Sequence, residues 1–420
     1  MRQRWRCRFF CGGWDMSESV LLRDHIAIQK GKPPLITGYL GADAVPYLNP
    51  EYLRGNSGAE PAKSGSDSVR AQDGETLLLW DGSNAGEFFR AKHGLVASTM
   101  ARVTPDSTFQ SAFFFHVMKH AETYLKSQTS GTGIPHVDRE LLEAVRVFRP
   151  IQNEQIIIAQ ILDTLDTAIR ETEVLIDKLK ALKQGLLHDL LTCGIDANGQ
   201  LRPPQSEASQ LYKESPLGWI PREWEVSTVG DCCDIHNNLR LPIASEIREK
   251  MQGEYPYYGP TGLLDHINEY RVEGTYTLIG EDGDHFLKFE SKPMTQLVSG
   301  KFNVNNHAHL LKGRNCLTEW IDVWFRHRDI TLYLTRQGAG RFKLNKAGLL
   351  NLLIARPSQD EQQAICTTVA QQEARITAEV ECRAKLLCHK AGLMDDLLTG
   401  RVRVTPLLES VQQPAAHPGA

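Results

Sequence analysis

The chain has 420 residues, more than one ordinary core accommodates, so two or three domains are expected. A hydrophobic fraction of 41% and a charged fraction of 23% belong to a water-soluble globular protein, and no apolar run is long enough to span a bilayer. The formal net charge of -4 excludes a chain coated throughout in Lys and Arg, but it allows a local basic face.

Residues 1–16 open with the basic groups of a secretory n-region. Only Phe9 and Phe10 sit together, so the apolar h-region of a signal peptide is missing and secretion is rejected. This stretch is expected to be a non-native or disordered extension ahead of the fold, with a functional basic arm as the alternative. Residues 17–149 are rich in short alternating runs, aromatics and Gly. One such run is Glu75-Thr76-Leu77-Leu78-Leu79-Trp80, followed by the turn Asp81-Gly82. The pattern predicts a mixed α+β domain with a strand-rich half.

Residues 150–192 predict one long helix. After Pro150 there is no proline until Pro203, and apolar or small positions recur at spacings of three and four. They are Ile158, Ile161, Leu165, Ala168, Thr172, Leu175, Leu179, Leu182 and Leu186, an a/d seam with one polar member. Around forty residues at about 1.5 Å each make a rod of roughly 60 Å. Residues 193–214, with Pro203-Pro204, Ser and Gln, read as a linker. Residues 215–356 form a second α+β domain, with the run Gly274-Thr275-Tyr276-Thr277-Leu278-Ile279 and the turn Gly280-Glu281-Asp282-Gly283. A second helix follows over 357–400, with a looser stripe of Ile365, Val369, Ile376, Val380, Leu387 and Met394. Asn153-Glu154 and Asp360-Glu361 put acids in the first turns, where the helix dipole favours them. The tail, 401–420, is expected to be disordered.

The two halves repeat at a constant offset of 207 residues. Pro150-Ile151-Gln152-Asn153-Glu154-Gln155 matches Pro357-Ser358-Gln359-Asp360-Glu361-Gln362, and Gly185-Leu186-Leu187-His188-Asp189-Leu190-Leu191-Thr192 matches Gly392-Leu393-Met394-Asp395-Asp396-Leu397-Leu398-Thr399. Gly131-Thr132-Gly133 falls on Gly338-Ala339-Gly340, and Leu22-Arg23-Asp24-His25 parallels Val229-Gly230-Asp231-Cys232. A duplicated chain is implied: domain, long helix, domain, long helix. Two apolar seams without another partner predict an antiparallel coiled coil and an internal pseudo-two-fold.

Nine cysteines, an odd number without Cys-x-x-Cys spacing, fit free thiols in a reducing, cytoplasmic compartment. Neither Asp231-Cys232-Cys233-Asp234-Ile235-His236 nor His307-Ala308-His309 has the paired spacing of a structural zinc site, and no metal is expected.

With the Pro-x-x-x-Glu-Gln helix starts, the Gly-Leu-x-x-Asp-Leu-Leu-Thr helix ends and the domain opening Leu217-Gly218-Trp219-Ile220-Pro221-Arg222-Glu223-Trp224-Glu225-Val226, the chain resembles the specificity (S) subunit of type I restriction-modification enzymes. The likeness runs from Ser17 to Arg401. Residues 1–15 depart from it, Met16 stands where such a domain would begin, and the first domain lacks the aromatic opening of Trp219 and Trp224. The resemblance implies two target-recognition domains that each read one half of a split, asymmetric double-stranded DNA target, with the helix pair as spacer. It implies methylation (M) subunits and restriction (R) subunits as partners. S-adenosylmethionine, ATP and Mg²⁺ would belong to those subunits, with no cofactor in this chain.

Base reading needs Arg or Lys on guanine and Asn or Gln on adenine, and phosphate contacts need Lys, Arg and backbone amides. The candidate loops carry Lys30 and Lys32; Arg90, Lys92 and His93; Asn237, Asn238 and Arg240; Lys301, Asn303, Asn305 and Asn306; Arg336, Gln337, Arg341 and Lys343. The last set lies in a basic segment, Arg326 to Lys346, with six cations against one acid, Asp329. For any one of these residues an ordinary solvated surface group is the plain alternative.

Three catalytic look-alikes are set aside. Asn49-Pro50-Glu51-Tyr52 departs from the Asn-Pro-Pro-Tyr box of adenine methyltransferases at Glu51 and follows no glycine-rich cofactor turn. Asp284 with Glu290-x-Lys292 resembles a nuclease metal cluster, but Leu287-Lys288-Phe289-Glu290 also reads as a plain alternating strand. Gly300-Lys301 lacks the earlier Gly and the following Ser or Thr of a P-loop. The alternatives to a non-catalytic DNA-specificity subunit are a coiled-coil protein-interaction scaffold and a self-contained nuclease or methyltransferase.

Overall fold

The computed structural model of the chain describes residues 18–33, 35–36, 44–128, 135–337 and 341–405. The expected extension, 1–16, the tail from residue 406 on and the two matched Gly-x-Gly turns lie outside these residues, whereas 401–405, expected in the disordered tail, are placed, with Arg403 and Thr405 bonded to Glu154. The chain divides into two compact units, one of residues 1–174 with 381–420 and one of residues 175–380. Each unit therefore combines a strand-rich domain with parts of two long helices, Gln152–Thr192 and Gln359–Leu397.

In the first unit Ile26–Lys30, Met100–Pro105, Thr76–Leu79 and Phe88–Arg90 lie side by side in a four-stranded antiparallel sheet. Helix Ser111–Ser127 packs Phe113, Phe114, Val117 and Met118 into a core shared with Leu78, Phe88 and Val103. The first long helix adds Ile158, Ala159 and Leu162 to that core, and the end of the second adds Leu397 and Leu398. A five-stranded sheet sits beside it, in which Ala44–Leu48 and Gly94–Val96 run parallel, pairing Tyr47 with Leu95 and Leu48 with Val96.

The second unit uses the same elements in one six-stranded sheet, ordered Cys233–Ile235, Ala308–Gly313, Val272–Gly280, Thr295–Val304, Gln252–Tyr258, Leu263–Ile267. Its one parallel pairing joins Tyr257 to Asn303 and Tyr258 to Val304. Helix Thr318–Phe325 buries Trp320 and Trp324 against Trp224, and the two indole N–H groups donate to the carbonyls of Ala355 and Leu353. A short two-stranded ribbon ties the start of each domain to its end, Ser19–Leu21 on Arg146–Phe148 and Glu225–Thr228 on Leu353–Arg356.

The repeated Pro-x-x-x-Glu-Gln motif has a physical reason in each unit. The buried Gln155 amide N–H₂ donates to the Pro150 carbonyl at 2.9 Å, while its oxygen accepts from the backbone N–H of Gln110 at 2.8 Å, just before helix Ser111–Ser127. Gln362 does the same, donating to the Pro357 carbonyl at 2.9 Å and accepting from the Leu317 N–H at 2.9 Å, before helix Thr318–Phe325. One side chain thus joins the start of a long helix to the start of the domain helix and satisfies two backbone groups with no helical partner. The neighbouring Glu holds an arginine. Glu154 accepts from Arg403 at 2.5 and 3.1 Å and from the Thr405 hydroxyl at 2.9 Å. Burial alone would raise the Glu154 carboxyl, but these hydrogen bonds outweigh it and hold it below the usual range. Glu361 accepts from Arg202 at 2.5 and 3.2 Å and from the Ile195 N–H at 2.9 Å.

Two expectations change. The stretch after Thr192, read as a linker, is folded, and it places Arg202 on Glu361 and pairs Tyr212–Ser215 with Gly218–Pro221. It leaves the helix at Gly194, with φ +63, where a Cβ would fall 2.6 Å from the Trp224 ring. The helix seam also has a different phase. Ile158, Leu162 and Ile169 are buried in the first unit and Ile176, Leu179, Leu187 and Leu190 in the second, whereas Leu182 is 67% exposed. Adjacent apolar pairs such as Ile161-Leu162, Ala168-Ile169 and Leu175-Ile176 satisfy either phase of a three-four repeat, and the structure buries the second member of each. On the second helix Val380 and Leu387, read as part of its stripe, are also exposed.

Candidate nucleic-acid interface

In the first unit the candidate residues sit on neighbouring strand ends and turns. Gly31 lets the loop lie on the Ala97 backbone, where a Cβ would come 2.7 Å from the carbonyl carbon. Lys30 and Lys32 extend from it, paired with Asp81 at 2.6 Å and Asp67 at 3.2 Å, with about half of each side chain in solvent. Arg102 connects this edge to the next loop, donating to Gln29 and to the Arg70 carbonyl. Lys92 lies over the Tyr52 ring at 4.7 Å, and exposed His93 bonds Gln72 at 3.0 Å.

Arg90 turns inward instead. Its guanidinium pairs with Asp163, lies 3.1 Å from His116 and covers the Phe115 ring at 4.7 Å, so it fastens the sheet to the long helix. His116, Asp163 and Asp166 form the one cluster of potential metal ligands found among the described residues. Arg90 on Asp163 and Lys390 on Asp166 already supply the positive charge there, so the cluster is a network of ion pairs. Burial lowers the His116 pKa despite Asp163 and keeps the ring neutral near pH 7.

In the second unit the candidate loops converge on Glu281. Its carboxylate takes Arg240 at 2.5 Å and Lys343 at 3.2 Å, and Arg240 also donates to the Asn306 carbonyl at 3.1 Å. Burial pushes Glu281 up, yet Arg240, His309 and Lys343 outweigh it and its pKa is lowered. Asn237 bridges His309 at 2.9 Å and the Leu310 N–H at 3.2 Å. Asn303 is fully buried and donates to the Glu269 carbonyl at 2.6 Å, and buried Asn305 accepts from the His307 N–H at 2.9 Å. Asn237, Arg240, Asn303, Asn305 and Lys343 therefore hold the loops in shape. Asn238, Lys301, Asn306 and Arg336 remain exposed, with Lys301 over the Tyr270 ring at 4.6 Å and Arg336 over the Phe342 ring at 5.3 Å. The side chains of Gln337 and Arg341 lie outside the described residues.

The look-alike motifs have ordinary roles. Asn49 caps helix Pro50–Arg54 through the Tyr52 N–H at 2.8 Å, and Glu51 pairs with Arg54 at 2.7 Å. Asp284–Lys288 is a 3-10 turn rather than part of an alternating strand, since Gly283, at φ 137, ends the extended run and His285 and Phe286 turn into the core. Among the described residues no helix is long and apolar enough to cross a membrane.

The model of the type I restriction modification DNA specificity domain matches the chain twice, over residues 18–181 and 221–385. The chain belongs to the type I restriction-modification specificity subunit family. It is 29% identical over 424 residues to the type I restriction enzyme MjaVIII specificity subunit of Methanocaldococcus jannaschii, covering 93% of this chain and 94% of that one. The crystal structure of the type I restriction-modification S subunit from M. genitalium shares the fold, with a TM-score of 0.62 at 15% identity over 90% of this chain and 95% of that one. In this specificity subunit each matched DNA specificity segment runs from a strand-rich domain into one of the long helices. Sequence reasoning used Gln155 and Gln362 only as carriers of the repeat, without a structural role, and missed Arg202 and Arg403. The repeat of the Glu-Gln pair was the available signal for the glutamines, and nothing local marks the arginines.

Proposed function

We propose that this chain is the non-catalytic, cytoplasmic DNA-reading subunit of a type I restriction-modification complex. Residues 17–149 and 215–356 each read one half of a bipartite, asymmetric target. Residues 150–192 and 357–400 act as the spacer, an antiparallel coiled coil with an internal pseudo-two-fold. Methylation and restriction subunits assemble on this scaffold and bring S-adenosylmethionine, ATP and Mg²⁺. The observation that carries the reading is the duplication itself: two domains with one strand-pairing scheme, one Gln-anchored helix start, and different residues in the exposed loops.

The ion pairs favour the antiparallel arrangement. In the first unit Asp166 meets Lys390 and Glu173 meets Arg383, so partner numbers fall as helix numbers rise. In the second unit Lys183 meets Glu373 at 2.6 Å. A stiff rod fixes the distance between half-sites as a flexible linker cannot, at about 34–36 Å per turn of B-DNA or a multiple. The exposed groups Lys30, Lys32, Lys92, His93, Asn238, Lys301, Asn306 and Arg336 contact DNA, and Gln337 and Arg341 join them from the same loop as Arg336. Arg90, Asn237, Arg240, Asn303, Asn305 and Lys343 position those loops instead.

The test is selection from random duplexes by the complex of this chain with its methylation subunit. Two unlike half-motifs at a constant gap are expected. Salt-insensitive capture without any motif would leave a protein-interaction scaffold and overturn the reading.

A further inference from the structure

The second unit contains a cleft of about 660 Å³ with the dimensions of a small-molecule site. One wall is the helix segment carrying Lys180, Leu187 and His188, and the other carries Trp324, His327 and Arg328. Part-exposed Leu191 and Ile376 give it an apolar side above buried Leu187 and Trp324, and Lys180, His188, His327 and Arg328 bring positive or protonatable groups against two acids, Glu290 and Asp329.

Arg328 is a half-buried cation of this cleft that forms no ion pair among the described residues. Its guanidinium lies 3.6 Å from the centre of the Trp324 ring, and its Nε donates to the Trp324 carbonyl at 3.3 Å. Arg326, two residues earlier, takes both Asp322 and Glu373, and Glu373 is shared with Lys183 at 2.6 Å. Asp329 accepts from the N–H and hydroxyl of Thr331 through one carboxylate oxygen. Exposed Glu290 lines the rim. Burial lowers Arg328 to about 10, so it still carries its charge at neutral pH. A desolvated cation without a counter-charge is unfavourable, and an anion that enters the cleft removes that cost.

The first unit shows what a balanced version looks like. The 207-residue offset pairs His188 with Asp395, His327 with His120 and Arg328 with Ala121. There Asp395 stands 3.7 Å from His120, and the arginine is replaced by a methyl group. In the second unit the acid has become a histidine and an extra cation has been added. His327 uses Nδ1 on the Phe289 carbonyl at 2.8 Å, leaving Nε2 for a ligand.

We propose that this cleft binds a phosphate-bearing organic anion of mononucleotide size, with its phosphate between Lys180 and Arg328 and its organic part against Leu191 and Ile376. Two cations suit a phosphate dianion, and packing on Trp324 holds the Arg328 guanidinium in place for it. The same chemistry is presented by a free nucleotide and by one nucleotide unit of an unpaired strand.

The test uses the full chain, titrated calorimetrically with AMP and with inorganic phosphate while Trp fluorescence is followed. One saturable site is expected, with AMP at least about tenfold tighter than phosphate because the ring adds its contacts. Lys180→Gln and Arg328→Gln should each weaken AMP by about tenfold or more, and Lys385→Gln on an exposed helix face should not. Arg328 packs on an indole and its loss could disturb the fold. Lys180 is exposed, so its variant tests the site without that complication. Displacement of AMP by a short single strand would assign the site to nucleic acid, and no displacement would assign it to a free nucleotide; both support the cleft. Absence of saturable binding up to about 10 mM, or AMP affinity unchanged in Lys180→Gln, overturns it.

Discussion

Replacing Gln362 with Leu removes two hydrogen bonds with little change in volume. The Pro357 carbonyl is buried and loses the amide donor at 2.9 Å, and the Leu317 N–H, partly within reach of water, loses its acceptor at 2.9 Å. A buried polar group left without a partner costs about 1–3 kcal/mol, and the partly wet one belongs at the low end. Leucine fills nearly the same space, so cavity formation adds little. The expected loss is about 2–3 kcal/mol in the second unit. With a urea slope of about 2–3 kcal/mol/M, the midpoint should move down by roughly 1 M. Trp224, Trp320 and Trp324 all lie in the core of this unit, so its unfolding dominates the tryptophan signal, with Trp80 reporting on the first unit. Gln362→Glu should be at least as damaging at neutral pH, because a carboxylate cannot donate to the Pro357 carbonyl. Gln155→Leu should leave the tryptophan transition of the second unit nearly unmoved. A midpoint within about 0.2 M of wild type for Gln362→Leu would refute the view that this side chain anchors the helix start.

Further outcomes follow from the same geometry. Leu182→Gln should change stability by no more than about 0.5 kcal/mol, whereas Ile176→Ala should cost about 2–4 kcal/mol, both measured by denaturant titration. Lys32→Gln or Lys301→Gln should each reduce the slope of log affinity for DNA against log salt by about 1, while Arg90→Met should lower the thermal midpoint and leave that slope alone. Stability should fall with acid in two stages followed by Tm against pH. Burial lowers the pKa values of His116, His285 and His309, so the unfolded chain takes up protons first as pH drops below about 6.5. Glu154 and Glu281 are held below their ordinary range by their arginines, so their contribution is complete above that range and is lost as pH falls through their folded values. Glu281→Gln should flatten the second stage.

The duplication was legible because the same structural task needs the same side chain twice. A Gln that bonds a Pro carbonyl and caps a domain helix has few substitutes, so Gln155 and Gln362 stand at the same place in both copies. The seam was legible only in period. Where Leu175 and Ile176 are both apolar, the choice between them depends on what packs opposite, which periodicity does not contain. The loops were legible as basic but not as free. Arg240 spends its charge on Glu281 and Arg90 on Asp163, acids 41 and 73 residues away whose proximity only the fold creates. Arg202 was hidden in the same way, since a Pro-Pro stretch looks like a linker until Glu361, 159 residues on, comes to meet it.

The most direct test is a map of adenine methylation in a host that expresses this chain with its methylation subunit, alone and with residues 17–149 exchanged for those of a relative. The account predicts a split motif with a constant gap that disappears without the chain, and an exchange that rewrites one half while leaving the other half and the gap unchanged. Methylation that ignores the exchange, or a stable and active complex with no motif, would contradict it.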